Sequence, residues 1–299
     1  MLTLGSCFAQ SVGQRLTENK FQTMANPFGT TYHPFSIHKL FCYASFNEYP
    51  TEHTYLVNHG ISYNYDFHSS LADTGRNILQ KQIEERIASA HHHLKDCGVV
   101  LLTYGTAWIY ERLDTKAAVA NCHKMPGSLF ARRLVSDQEI VESFDSVLKS
   151  IESFNPTIQF ILTVSPVRHL NDTLPLNSVS KAVLRLACHQ LSEKYKQVHY
   201  FPAYEMMMDD LRDYRFYEKD LIHPTEFALE YIWSKFSNHY CDQATLAFLK
   251  SWGEIRKTLA HRPFHPDSAA HKKFIHRAHA FDKPARPDQN LDNLSMKDR

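Results

Sequence analysis

Two continuous apolar runs, Val99–Tyr104 (VVLLTY) and Gln159–Val164 (QFILTV), constrain the fold of this chain most. Each is strand-length, and each ends abruptly, the first at Gly105 and the second at Ser165-Pro166. A strand apolar on both faces belongs in the middle of a parallel sheet covered by helices on either side. The segments between and around these runs carry apolar residues at helical spacing. Ser11–Asn19, Pro34–Ala44, Ile78–Leu94, Ser136–Ile151, Ser178–Tyr195 and Pro224–Tyr240 all read as helices. Ser136 followed by Glu139 is a capping-box pattern, and Pro224 suits a first helical turn. Shorter apolar runs at Met1–Leu4, Phe21–Met24 and Val198–Phe201 supply further strands. Strand–helix alternation of this kind predicts an α/β fold with a mostly parallel sheet between two helical layers.

The remaining global features narrow the class. The chain has 299 residues, with 33 Lys and Arg against 32 Asp and Glu, and 43% hydrophobic residues. That balance opposes a dedicated nucleic-acid binder, which carries a basic excess. No stretch reaches the roughly 18–20 apolar residues of a membrane helix, and the first ten residues show no signal-peptide pattern. Six scattered cysteines (7, 42, 97, 122, 188 and 241) without a CxxC pair suit free thiols in a reducing compartment. The expected location is therefore the cytoplasm. No GxGxxG follows a strand and no P-loop is present, so no nucleotide cofactor is expected. From His261 the chain holds eight Lys/Arg, five Asp and five His with few aliphatics. The expected organisation is one domain over residues 1–255 and an extended or disordered tail over 256–299.

In open parallel sheets ligands sit beyond the carboxyl ends of the strands. The residues there are Gly5-Ser6-Cys7, Asn26-Pro27-Phe28-Gly29, Gly105-Thr106-Ala107-Trp108 and Ser165-Pro166-Val167, with Asp220-Leu221-Ile222-His223-Pro224 before the last of these helices. Ser6 stands where a strand turns into a helix. It is either a helix cap or a nucleophile whose oxyanion is met by backbone N–H groups at the helix start. Asp220 and His223 are three apart, a spacing that lets the carboxylate fix the imidazole tautomer. Either they serve that purpose or they form an ordinary surface pair. Cys7 is a rival nucleophile, since a thiolate at a helix start is activated. Asn121-Cys122-His123-Lys124 lacks a second ligand pair with zinc-like spacing and reads as a loop near the site, with Lys124 lending positive charge. His91-His92-His93 reads as surface at a helix end. Trp108, Tyr110, Arg168 and His169 follow strand ends and are candidate pocket walls for a sugar-like substrate.

Gly5-Ser6-Cys7-Phe8-Ala9 resembles the signature of the GSCFA family, whose fold is similar to that of SGNH/GDSL hydrolases. Asn26–Thr30, Gly105–Trp108, Asn121–Lys124, Ser165–Val167 and Asp220–Pro224 match it further, in order along the chain. The resemblance implies a three-layer, flavodoxin-like α/β/α sandwich and a Ser-His-Asp hydrolase site. It assigns Ser6 as nucleophile and oxyanion N–H, Gly29 as a second oxyanion N–H, His223 as base and Asp220 as its orienter. SGNH enzymes place an Asn after the glycine of the third block. Here Thr106 stands at that place, so Thr106 and then Asn26 are the candidates for the third donor. The implied function is a serine esterase or acyl hydrolase acting on an acyl ester of a small or carbohydrate-like alcohol. An acyltransferase using the same triad and a non-catalytic binding protein are the alternatives.

Overall fold

The computed structural model describes residues 1–152, 154–170 and 173–260. Its centre is a five-stranded sheet of β1 (Leu2–Gly5), β2 (Met24–Ala25), β5 (Val99–Tyr104), β9 (Gln159–Val164) and β10 (Val198–Tyr200), in the order β10-β9-β5-β1-β2. All four pairings are parallel, with Gly5 opposite Thr103 and Tyr104 opposite Val164. Counting only these five strands, the order is 2-1-3-4-5, and the direction of travel reverses between β1 and β5. The loops after β1 and β5 therefore diverge at the switch point, where such sheets leave a crevice.

The apolar runs are buried on both faces, as a central strand requires. Val100, Leu102, Tyr104, Phe160, Leu162 and Val164 join the core built with α2 (Pro34–Phe46), α3 (Arg76–Lys95), α4 (Asp137–Ile151) and α5 (Thr173–Lys194). Val99, Leu101 and Ile161 join the opposite core with α1 (Cys7–Glu18), α6 (Ala203–Glu205) and α7 (Glu226–Tyr240). Alternate residues of one strand feeding two cores is the period-2 rule in operation, and the result is an α/β/α sandwich. The capping box at Ser136 and Glu139 is formed in full.

Some expectations need correction. Pro224 is not in the first turn of α7: Thr225 is the N-cap, its hydroxyl accepting from the Ala228 N–H, and Pro224 instead bridges Tyr217. α5 starts at Thr173, before Ser178, and β2 is only the pair Met24–Ala25. His91 and His93 are not free surface groups, for each ring donates to a backbone carbonyl, of Ala44 at 2.9 Å and of Met1 at 2.7 Å. Two antiparallel additions escaped the periodicity. One is the hairpin of β3 (Tyr55–Asn58) and β4 (Ile61–Asn64). The other is the three-stranded sheet of β6 (Trp108–Arg112), β7 (Ala118–Val119) and β8 (Phe130–Leu134). Their strands are short and half-exposed, so they carry little apolar signal.

α8 (Gln243–Ala260) crosses the expected boundary at residue 255. Its Trp252 indole donates to the Glu18 carbonyl at 2.7 Å and its Arg256 pairs with the Glu18 carboxylate, which docks it on the far end of α1 from Ser6. The expected tail beyond residue 260 lies outside the described residues. Among the described residues no helix is long and apolar enough to cross a membrane.

Candidate active site

Ser6 is built into the junction of β1 and α1. Gly5 precedes it at φ +136°, and a Cβ there would stand 2.2 Å from the Thr103 carbonyl oxygen, so only glycine lets β1 end this close to β5. Ser6 caps α1, its Oγ accepting from the Phe8 N–H at 3.3 Å. The cap and the nucleophile readings of this residue are therefore compatible: one lone pair caps while the O–H points elsewhere. That O–H donates to Ser165 Oγ at 3.0 Å, across to the end of β9. Ser6 is 1% exposed.

Asp220 and His223 form the expected pair. His223 Nδ1–H donates to Asp220 Oδ2 at 2.7 Å, while the Ile222 and His223 backbone N–H groups both donate to Oδ1. These three donors hold the Asp220 carboxyl down to about 2, the backbone N–H and ring of His223 contributing first. The turn is unusual in its backbone, with Leu221 at φ +58°. Among the described residues no hydrogen bond joins Ser6 to His223. The segment after β9 spans the distance between them: Ser165 holds Ser6, and the Arg168 N–H donates to the Ile222 carbonyl at 3.3 Å.

The expected oxyanion donors are all engaged within the protein. The Ser6 N–H donates to the Thr103 carbonyl at 3.3 Å and the Gly29 N–H to the Asn26 carbonyl at 2.9 Å. Asn26 Oδ1 accepts from the Gly5 N–H at 2.9 Å, and its Nδ2 faces the Ser6 carbonyl at 3.4 Å, which ties the second loop to the end of β1. Thr106 Oγ1 pairs with Ser180 Oγ at 3.1 Å and accepts from the Trp108 N–H. The candidate pocket residues divide. Trp108 opens β6, its indole N–H donating to the Leu176 carbonyl at 3.4 Å under the Arg132 guanidinium. Tyr110 is 44% exposed further along β6. Arg168 donates to the Leu221 carbonyl at 3.1 Å. Lys124 is exposed on a loop that His123 seats on the β3–β4 hairpin, through the Asn64 carbonyl at 2.8 Å and a stack on Tyr63. Among the described residues Lys124 has no hydrogen bond or ion pair to Ser6, Asp220 or His223.

The rival chemistry is placed as well. Cys7 Sγ lies 3.8 Å from the Tyr32 hydroxyl, a partner different from that of Ser6. Burial pushes the Cys122 thiol up to about 11, which opposes a reactive thiolate. Among the described residues no three His, Cys, Asp or Glu side chains gather to hold a metal ion.

Sequence reasoning missed Lys181. It lies on the buried stripe of α5 with Asn177, Leu184, Cys188 and Leu191, and a lysine in phase with such a stripe is the signal that could have found it. Its Nζ donates to the Gly105 carbonyl at 2.8 Å and the Ser165 carbonyl at 2.7 Å, tying the ends of β5 and β9 together. Burial lowers its ammonium to about 7. His169, beside it, is lowered to about 4 by burial and by the nearby Lys181 and His223 charges. Its Nε2 is buried without a hydrogen-bond partner among the described residues, facing Gly105 and, edge to face, Tyr32.

No curated protein matches the chain. The model of the GSCFA family matches residues 1–236, which include every candidate side chain above, and that of the GSCFA domain protein C-terminal domain matches residues 252–280. With that match covering most of its length, the chain belongs to the GSCFA family.

Proposed function

We propose that this protein is a serine hydrolase of the SGNH-like type, cleaving an acyl ester, acetyl among them, of a small or carbohydrate-like alcohol. The observation that carries the reading is the Asp220–His223 pair, closed at 2.7 Å beside the segment that holds the Ser6 hydroxyl. A carboxylate fixed to Nδ1–H leaves Nε2 as the basic nitrogen of the ring. In the reaction the Ser6 hydroxyl gives up Ser165 for Nε2 of His223, and the imidazole takes its proton as Oγ forms a bond to the ester carbonyl carbon. The tetrahedral intermediate expels the alcohol, which leaves with the proton from His223. Water, or a second alcohol, then attacks the acyl-serine by the same proton path and frees Ser6. Water makes the enzyme an esterase and an alcohol makes it an acyltransferase. Six free thiols fit a reducing compartment such as the cytoplasm.

A second reading, a binding protein without turnover, is favoured by the engagement of the Ser6 and Gly29 N–H groups with carbonyls. A fluorophosphonate probe separates the two. Covalent labelling at Ser6, absent in Ser6→Ala and His223→Ala, together with turnover of a panel of acyl esters, supports the hydrolase. A folded wild type that is neither labelled nor active supports the binder.

A further inference from the structure

The segment leaving β9 touches both halves of the site. At its start Ser165 Oγ accepts a hydrogen bond from the Ser6 hydroxyl. Three residues on, Arg168 grips the Asp220–His223 turn at two consecutive carbonyls. Its backbone N–H donates to Ile222 at 3.3 Å and its guanidinium to Leu221 at 3.1 Å. Leu221 is at φ +58°, a conformation that a branched side chain disfavours and that surrounding contacts must impose. From inside the turn, Asp220 accepts from the Ile222 and His223 N–H groups. From outside, the carbonyls are held by Arg168. The guanidinium is itself seated, 4.0 Å above the Tyr217 ring and 5.5 Å from that of Tyr214. Tyr217 is buried and bridges Pro224, immediately after His223, so the seat and the turn belong to one unit.

We propose that Arg168 is a positioning residue. Stacked on Tyr217, it holds the Asp220–His223 turn in its left-handed conformation and so sets the imidazole relative to the strand end that carries Ser6. This rests on the serine-hydrolase reading and goes beyond it, because the guanidinium is directed at the protein's own turn rather than at substrate. A planar guanidinium can stack and donate at once, whereas lysine offers a donor without the flat face.

The test uses the full chain as wild type, Arg168→Met, Arg168→Lys and Ser6→Ala, with thermal unfolding run on each. Ester turnover is followed as kcat and KM separately, and fluorophosphonate labelling of Ser6 as a rate. Misplacing a catalytic group by about 1 Å costs on the order of 100-fold. Arg168→Met is therefore expected to lose about 30- to 100-fold in kcat, with KM within about twofold and labelling slowed in parallel, and Arg168→Lys to recover part of the loss. A raised KM with kcat retained makes Arg168 a substrate contact and overturns the proposal. So do rates within about twofold of wild type in Arg168→Met. If Arg168→Met fails to fold, Arg168→Lys decides by the same split. A wild type that is neither labelled at Ser6 nor active removes the hydrolase reading and this one together, whereas a labelled wild type with an indifferent Arg168→Met removes only this one.

Discussion

The Ser6 hydroxyl donates to the Ser165 hydroxyl at 3.0 Å, joining residues 159 apart in the chain at the ends of two strands that are not neighbours in the sheet. β5 lies between them, and Lys181 completes the connection by donating to the Gly105 carbonyl after β5 and the Ser165 carbonyl after β9. The rim of the sheet is therefore held by polar contacts that run across the strand ends. The Ser6 side chain is placed by that rim as much as by its own helix.

Lys181 should make stability rise with pH above neutrality. Its folded ammonium titrates near about 7 against an ordinary 10.5. Above pH 7 the fold releases a proton that the unfolded chain still holds, and stability climbs by up to ~1 kcal/mol per pH unit toward about pH 9. Beyond that, thiols raised by burial, such as Cys42 and Cys122 at about 11, oppose the trend. Urea midpoints measured across this window should climb in the wild type and stay flat in Lys181→Met. A flat wild-type curve would show that the buried amine keeps its proton.

The buried imidazoles predict the acid side. His33 and His169 titrate near about 4 and His38 near about 3, all lowered by burial first. His38 is enclosed between the Ser143 and Tyr104 hydroxyls, and His33 donates to the Val119 carbonyl. Below their ordinary value of 6.5 the unfolded chain binds protons that the fold refuses, so stability falls as pH drops toward about 4. His38→Gln, which can keep polar contacts without titrating, should show a shallower fall in denaturant titrations between those limits. An unchanged slope would exclude His38 as a contributor.

Asp220→Asn separates orientation from charge. The carboxyl is held near about 2 in the fold against an ordinary 3.8. Its contribution to stability is complete above about pH 4 and is lost as pH falls through about 2. The unfolding midpoints of wild type and Asp220→Asn should differ at neutral pH and converge at the acid end. Ester turnover should drop by on the order of 100-fold or more in the variant, because the amide no longer fixes the imidazole tautomer. Turnover equal to wild type would remove Asp220 from the reaction.

Much of this molecule follows from local sequence. Apolar runs long enough for one strand and buried on both faces demand a covered parallel sheet, and VVLLTY and QFILTV are its two central strands. The Ser136 capping box forms as written because its partners are three residues apart. The Asp220–His223 contact closes for the same reason. What the tertiary structure decided are the contacts between residues far apart in the chain. Ser165 as the partner of Ser6, the two carbonyls on Lys181 and the grip of Arg168 on Leu221 and Ile222 all depend on which strand ends lie side by side. The expected oxyanion donors show the same limit. Residue type makes Gly29, Thr106 and Asn26 capable of donating, but the loops fold back and direct those groups to the Asn26 carbonyl, the Ser180 hydroxyl and the Ser6 carbonyl. Hydropathy and spacing act over a few residues, while the rim of a sheet is assembled from segments that only strand order brings together.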